Sequence, residues 1–425
     1  MKIDTLSLKN FRAAKNLNLR FHESLNVFVG VNGAGKSTIL DTLAIMLSWA
    51  VSRMKLSGAS GRPITESDIT NGAASSILDI KCMDKQNEIP WKLVKRRRGY
   101  AGTDEKSDLS VLSGYTKQMQ TDIENSKEKI NLPLFVYYPV NRAVFDIPLR
   151  IRGHHAFPLF AAYDESLTSG ANFRTFFEWF REREDLENEN RIHQMDLFQK
   201  NDILFPDPQL EAVRAALSKF LPEFKNFTVR RSPLRMEVEK NGELLTVNQL
   251  SDGEKCLIAL VGDLARRLAI ANPMMKQPLD GEGAVMIDEI DLHLHPKWQR
   301  MVIPKLKDVF SNLQFVISTH SPHVITHVQP ESLFLLTLTD KGIFCEQPIE
   351  SYGKNVDRIL EDLMGLETTR PDEISRELDN LFITIRDGKL NSAKDQISAL
   401  RHKIGEDPEL VKASVLIRRQ ESIGK

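Results

Sequence analysis

Cysteine is scarce: 425 residues contain three, Cys82, Cys256 and Cys345, none in a C-x-x-C spacing. That scarcity excludes a disulfide framework and a cysteine-built zinc site, and it suits a reducing cytoplasm. Long apolar runs are missing too. No stretch reaches the roughly 18 apolar residues that a membrane span needs. The opening MKIDTLSLKNFRAAKNLNLRF alternates as a strand does and carries no secretory apolar region, so a soluble, non-exported protein is expected. A charge excess of one sign is also absent, with 57 Lys+Arg against 58 Asp+Glu. No global basic balance therefore advertises nucleic acid. Two local clusters, Lys92, Lys95, Arg96, Arg97 and Arg98, and Arg230, Arg231 and Arg235, could follow a phosphate backbone, although neither is interleaved with stacking aromatics. No internal repeat, low-complexity tract or long heptad register stands out.

What is present is an alternating α/β pattern with enough apolar content for one large domain or two ordinary ones. Ile3–Leu8 and Leu25–Val29 read as strands, followed by the glycine-rich GVNGAGKST and a helix reaching Ala50. Ile77–Met83 and Glu88–Val94 read as a hairpin, after which Arg96–Arg98 lead into a polar stretch, expected to be mobile, reaching Lys129. PLFVYYP is a buried-type strand. Residues 156–221 look helical, 227–247 strand-rich, and a second alternating block runs to about Leu338. The tail beyond Gly353 is helical and charged, with Ile374, Leu378, Leu381, Ile385, Ile397, Leu400 and Ile404 on an apolar face. That face would pack either on the chain's own ATPase core or on a partner.

Gly30–Ser37 fits G-x-x-x-x-G-K-[ST] after a strand and at the opening of a helix. The curl of Asn32, Gly33, Ala34 and Gly35 turns successive N–H groups toward phosphate oxygens, and the helix end carrying Lys36, Ser37 and Thr38 adds partial positive charge. Lys36 would neutralise the outer phosphates, and Ser37 would offer magnesium an oxygen. The apolar run Ala284–Ile287 ends in Asp288 and Glu289, as a buried parallel strand would deliver two acids to its carboxyl end. Asp288 would hold the metal shell and Glu289 would activate the attacking water. Five histidines, His293, His295, His320, His323 and His327, raise a rival metal reading, but no matching acid spacing or cysteine accompanies them.

Leu250–Lys255 (LSDGEK), ahead of the acidic strand, resembles the signature of ABC-type ATPases; in isolation it is also a helix-capping motif. The resemblance implies that Ser251, Asp252, Gly253 and Glu254 bind the outermost phosphate of ATP held by the opposite subunit, so that a dimer completes each site. Asp252 stands where the family often has a glycine, and a carboxylate there argues for slow turnover. The same resemblance implies that Asp291 lies in the dimer-contacting loop and that His320, in ISTHSPH, contacts the outer phosphate. It also places Asn141 where the family presents a glutamine to magnesium, and sets Phe11 and Arg12 in the nucleotide-contacting segment of the SMC and RecF branch. Arg12 reads equally as a solvated strand-end charge.

The motifs are similar to those of the soluble SMC, RecF and OLD-like ATPases. The middle is too short for SMC coiled coils, and the tail lacks the acid pair of an OLD nuclease. LFVYYPVNRAV, IDEIDLHLHPKWQ, ISTHSPHVI and SYGKNVDRILEDLMG most resemble the PtuA family, the ATPase subunits of Septu and retron-associated anti-phage systems. That resemblance implies a cytoplasmic regulatory ATPase using ATP and Mg2+, forming dimers or higher oligomers, and controlling an HNH nuclease partner (PtuB-like) that reaches nucleic acid through the complex. The alternative is a stand-alone repair or recombination ATPase that binds DNA directly. The expected fold is α/β, an ABC-type P-loop head with a mixed central sheet. Its expected divisions are an N-terminal lobe with a β subdomain (1–155), a helical insertion (156–225), a C-terminal lobe (226–350) and a helical tail (351–425).

Overall fold

The computed structural model describes residues 1–100, 104–126, 129–140, 157–168, 173–195 and 206–423. They form two compact units, Met1–Asn355 and Val356–Lys425. In the larger unit, β1 (Lys2–Phe11) and β2 (Ala14–Arg20) make a hairpin, and β3 (Leu25–Val29) leads into α1 (Lys36–Lys55). Strands β4 (Ser75–Asp84) and β5 (Asn87–Arg96) complete an antiparallel sheet of order β2-β1-β4-β5. Then come α2 (Ser110–Ser126), β6 (Leu134–Tyr138), α3 (Phe173–Met195) and α4 (Pro208–Phe220), followed by a three-stranded sheet of β7 (Phe224–Arg231), β8 (Leu234–Lys240) and β9 (Glu243–Thr246). The unit continues through α5 (Asp252–Ala271), β10 (Gly283–Ile287), α6 (Pro296–Val309), β11 (Leu313–Ser318), α7 (Pro322–Ile325), β12 (Leu333–Thr339) and β13 (Gly342–Glu346).

The central sheet has the order β6-β10-β11-β3-β12-β13, parallel except for the last strand. Every residue of β3, β6, β10 and β11 is buried, which is why these strands read as unbroken apolar runs: a parallel sheet is covered on both faces. The chain therefore forms the expected α/β head. Strand β11 separates the glycine-loop strand β3 from the acidic strand β10, so the loops after all three open on the same sheet end. The outer sheet is stitched to the central one by a buried side-chain amide. Gln314 on β11 accepts from the Ile3 N–H at 2.7 Å and donates to the Ile3 carbonyl at 2.8 Å, replacing a missing strand partner.

Three expectations need correction. The polar stretch before Lys129 is not uniformly irregular, because α2 occupies Ser110–Ser126 and buries Leu112, Thr116, Met119 and Ile123 on one narrow face. So thin a stripe is easily hidden among polar residues. The tail's apolar face is covered by the tail itself. Helices Asp372–Arg386, Leu390–Ile404 and Pro408–Ile423 share a core of Leu378, Leu381, Ile385, Ile397, Leu400 and Ile417, with Ile374 and Ile404 packed against it. The basic clusters are not free stripes either. Arg230 and Arg235 pair with Glu237, and Arg231 pairs with Glu184 and Asp185. Lys92 faces Asp79 and Glu105, while Arg97 donates to the carbonyls of Ile69 and Thr70.

Inside α5 the carboxylate of Asp263 is fully buried between two buried guanidiniums, accepting from Arg266 at 2.7 Å and from Arg267 at 2.7 Å, and also from the Tyr138 hydroxyl at 3.0 Å. Burial favours the neutral acid, but the two arginines outweigh it and hold the Asp263 pKa below the ordinary carboxylate value. Arg267 also donates to the carbonyls of Ala162 and Asp164, tying α5 to the segment ahead of α3. Removing the acid strands two cations in the core. Asp263→Ala is therefore expected to destabilise the larger unit by about 3–5 kcal/mol, read as a lowered urea midpoint. A midpoint unchanged from wild type would show that the arginines find other partners.

Candidate active site

The loop between β3 and α1 is built to curl. Gly33 and Gly35 adopt φ of 82° and 102°, a left-handed backbone that other residues reach only with strain. At Gly35 space is closed as well, since a β-carbon would lie 2.2 Å from the Ile343 side chain of β13. Asn32 and Gly33 are exposed, Ala34 is buried, Ser37 is exposed on the first turn of α1, and Thr38 is half-buried beside it. That first turn holds no acid, so the helix itself supplies nothing to offset its positive end. Lys36 is buried and donates to the carbonyls of Gly30 at 2.8 Å and Val31 at 3.2 Å. Burial lowers the Lys36 pKa, and the charges of Asp288, Glu289 and Asp291 offset part of that shift. A buried cation acted on by three carboxylates suits an anionic ligand accompanied by a metal ion.

The acids stand directly after β10. Asp288 is buried, and its N–H donates to the Tyr138 carbonyl at 2.9 Å, which keeps β10 in parallel register with β6. Glu289 is half-buried in a left-handed backbone of φ 47°, an unusual state for a non-glycine residue and one that clusters at functional sites. Ser318, the last residue of β11, donates to the Asp288 carboxylate and accepts from the Glu289 N–H at 2.8 Å. Thr319 donates to the Asp291 carboxylate at 2.5 Å, and the His320 N–H lies 3.4 Å from the same oxygen. Asp291 is thus turned onto its own histidine loop. Burial and the nearby Lys36 charge lower the His320 pKa against the pull of the acids, which favours a neutral imidazole at pH 7. Nothing in the sequence marks Ser318 and Thr319 apart from their place just ahead of His320.

The signature residues form a separate, exposed group at the start of α5. Ser251 and Glu254 make a reciprocal capping box: the Ser251 N–H and hydroxyl donate to the Glu254 carboxylate at 3.0 and 2.9 Å, and the Glu254 N–H donates back at 3.4 Å. Lys240 of β8 pairs with Glu254 at 2.7 Å. The Asp252 side chain is 76% exposed and lies 3.4 Å from Lys255. Gly253 sits so close to the following loop that a β-carbon would stand 2.6 Å from the His293 carbonyl oxygen. These contacts run to α5, β8 and the 291–295 loop; none joins Ser251–Glu254 to residues 30–38 of the same chain.

Arg12, at φ 49°, is half-buried and paired rather than a solvated end charge. It donates to Asp41 of α1 at 2.5 Å and to Asp68 at 2.9 Å, and Arg62 shares Asp41 at 2.7 Å. Asn141 lies outside the described residues. Among the described residues, no three His, Cys, Asp or Glu side chains gather into a metal cage. His295 instead caps α6 by accepting from the Lys297 N–H at 3.2 Å.

Over 99% of its length the chain is similar to the "Retron Ec83 probable ATPase" of Escherichia coli, with 29% identity over 478 residues that cover 87% of that protein. It is 25% identical over 382 residues to the Septu protein PtuA of Bacillus thuringiensis, covering 87% of this chain and 85% of that one. Among solved structures, the SMC head domain from Thermotoga maritima is similar, with 15% identity and a TM-score of 0.45 over 82% of this chain and 100% of that domain. The profile of the family described as "AAA domain, putative AbiEii toxin, Type IV TA system" matches residues 25–326, from the first residue of β3 to just past α7. That span contains the glycine loop, the signature, the acid pair and the histidine loop, and on it the chain belongs to this family and is an ATPase.

Proposed function

We propose that the chain is the nucleotide-gated subunit of an anti-phage defence complex, in which ATP closes a dimer and closure controls a partner HNH nuclease. The observation that carries the reading is the separation of the two motifs. Val31–Gly33 and Ser37 of the glycine loop and Ser251 and Asp252 at the start of α5 are exposed, and the hydrogen bonds and ion pairs of Ser251–Glu254 run to α5 and β8 rather than to residues 30–38, so in this reading a second copy completes each site. The defence role draws on relatives named as retron and Septu proteins.

In this reading, loop amides of residues 32–38 and Lys36 hold the triphosphate. Ser37 and Asp288 supply hard oxygens of the type magnesium takes, with Asn141 as a further ligand. A magnesium ion held by these residues would supply positive charge against the charge that develops on the outer phosphates. Glu289 orients the attacking water and takes up its proton, and neutral His320 donates to the outer phosphate. From the second copy, Ser251, Gly253 and the amides at Asp252 and Glu254 close over that phosphate. The Asp252 carboxylate slows turnover by repelling it. Arg12 reaches nucleotide only by exchanging Asp41 or Asp68 for phosphate. The two lobes, 1–155 and 226–350, form this engine in the cytoplasm, and 156–225 is an insertion between them. The tail 351–425, with its own helical core, is the docking region for the nuclease, through which the complex reaches nucleic acid.

Co-purification with the product of the neighbouring gene, followed by plasmid cleavage with and without ATP, tests this reading. Absence of both a stable complex and partner-dependent cleavage would sink it. A stand-alone DNA-binding ATPase draws no support from Arg230, Arg231 and Arg235, each of which is paired with a neighbouring acid.

A further inference from the structure

Ser318 holds both acids. Its side chain is fully buried at the end of β11, where one hydroxyl donates to the Asp288 carboxylate and accepts from the Glu289 N–H at 2.8 Å. Its own carbonyl accepts from the Ile290 N–H at 3.1 Å. Three consecutive residues of the acidic loop are therefore registered against one residue of the adjacent strand. A hydroxyl has one donor and two acceptor sites, so aiming the proton at Asp288 leaves its lone pairs for Glu289. This matters because Glu289 sits at φ 47°, a conformation that persists only where surrounding bonds impose it.

We propose that Ser318 is a positioning residue for hydrolysis. Its hydroxyl sets the carboxylate of Asp288 toward magnesium and, by pinning the strained backbone of Glu289, aims that side chain at the attacking water. The inference rests on the roles given above to Asp288 and Glu289. Strand register does not depend on the hydroxyl, since β11 pairs with both β10 and β3 and the Thr319 N–H donates to the Phe28 carbonyl at 3.1 Å. Loss of the hydroxyl thus releases the acids without undoing the sheet, and the triphosphate grip of residues 30–38 stays in place.

The test is steady-state ATP hydrolysis by Ser318→Ala, Glu289→Gln and the double variant of the full chain, each with a magnesium titration, beside the magnesium dependence of binding of a non-hydrolysable fluorescent ATP analogue. Displacing a general base by about an ångström lowers kcat on the order of 10- to 100-fold. Ser318→Ala is expected to show that fall with KM for ATP nearly unchanged and a higher magnesium requirement, and to add little further loss to Glu289→Gln. If Glu289→Gln is inactive while Ser318→Ala keeps wild-type kcat, or if the two losses multiply, the positioning role is overturned alone. Wild-type turnover by Glu289→Gln overturns the acid assignment and this inference with it. Should the alanine variant fold poorly, Ser318→Cys keeps nearly the same volume with a much weaker donor. Unchanged kcat in that variant would equally end the proposal.

Discussion

Lys36→Ala is expected to lose ATP affinity by at least about two orders of magnitude, because each charge-assisted contact to phosphate contributes roughly 1.5–3 kcal/mol and Lys36 supplies more than one. The loss should exceed what a surface lysine would give. Asp288, Glu289 and Asp291 all act on the Lys36 charge, so without it the triphosphate meets three carboxylates across a half-buried site. Folding should not suffer. The lowered pKa of Lys36 means that burying its ammonium is already unfavourable in the unliganded chain, and its hydrogen bonds run only to the carbonyls of Gly30 and Val31 at its own loop. Titration with a fluorescent ATP analogue measures the affinity, and thermal unfolding without nucleotide checks the fold. Affinity within tenfold of wild type would mean that the loop is not the triphosphate site.

How much of this was legible in the chain depends on the range of each signal. Strands β3, β6, β10 and β11 announce themselves locally, since a sheet covered on both faces demands continuous apolar runs, and the two motifs at their ends bring their context with them. Pairings across long separations left no local trace. Arg231 reads as part of a basic run, yet its partners Glu184 and Asp185 lie far back on α3. Arg12 fits a nucleotide-contacting segment, but Asp41 and Asp68 claim it through a turn that no spacing rule foretells. The tail shows the opposite case. Its apolar positions were readable from periodicity, whereas the surface covering them was not, because three helices covering one another give the same pattern as helices that wait for a partner.

Ser318 belongs to the hidden class as well. A hydroxyl bound to a carboxylate thirty residues earlier looks, in sequence, like any serine at a strand end. Gly253 is similar: its smallness admits the His293 carbonyl at a distance that no side chain would allow. Through that contact the loop that follows Glu289 touches the start of α5. A shift of residues 289–293 therefore has a short physical route to Ser251, running through packed backbone rather than solvent.

Glu289→Gln follows from the same arrangement and is expected to bind ATP, hydrolyse it at least about 100-fold more slowly, and gather into a stable ATP-dependent assembly. The amide matches the carboxylate in size, so the left-handed backbone and its bond from Ser318 persist. What is lost is a group able to accept the proton of the attacking water. ATP then remains as the bridge between the glycine loop of one copy and the Ser251 helix of the next, and the closed state outlasts the measurement. Light scattering coupled to size exclusion should show the variant's mass rising with ATP and magnesium, while wild type returns to its starting mass as ATP is consumed. Adding Ser251→Arg, which sets a bulky side chain on an exposed surface outside the loop and the acids, should cancel the rise without lowering affinity in the single copy. A Glu289→Gln protein that holds ATP yet never changes mass would show that one chain completes its own site, and the exposed capping box at α5 would then be a helix cap and nothing more.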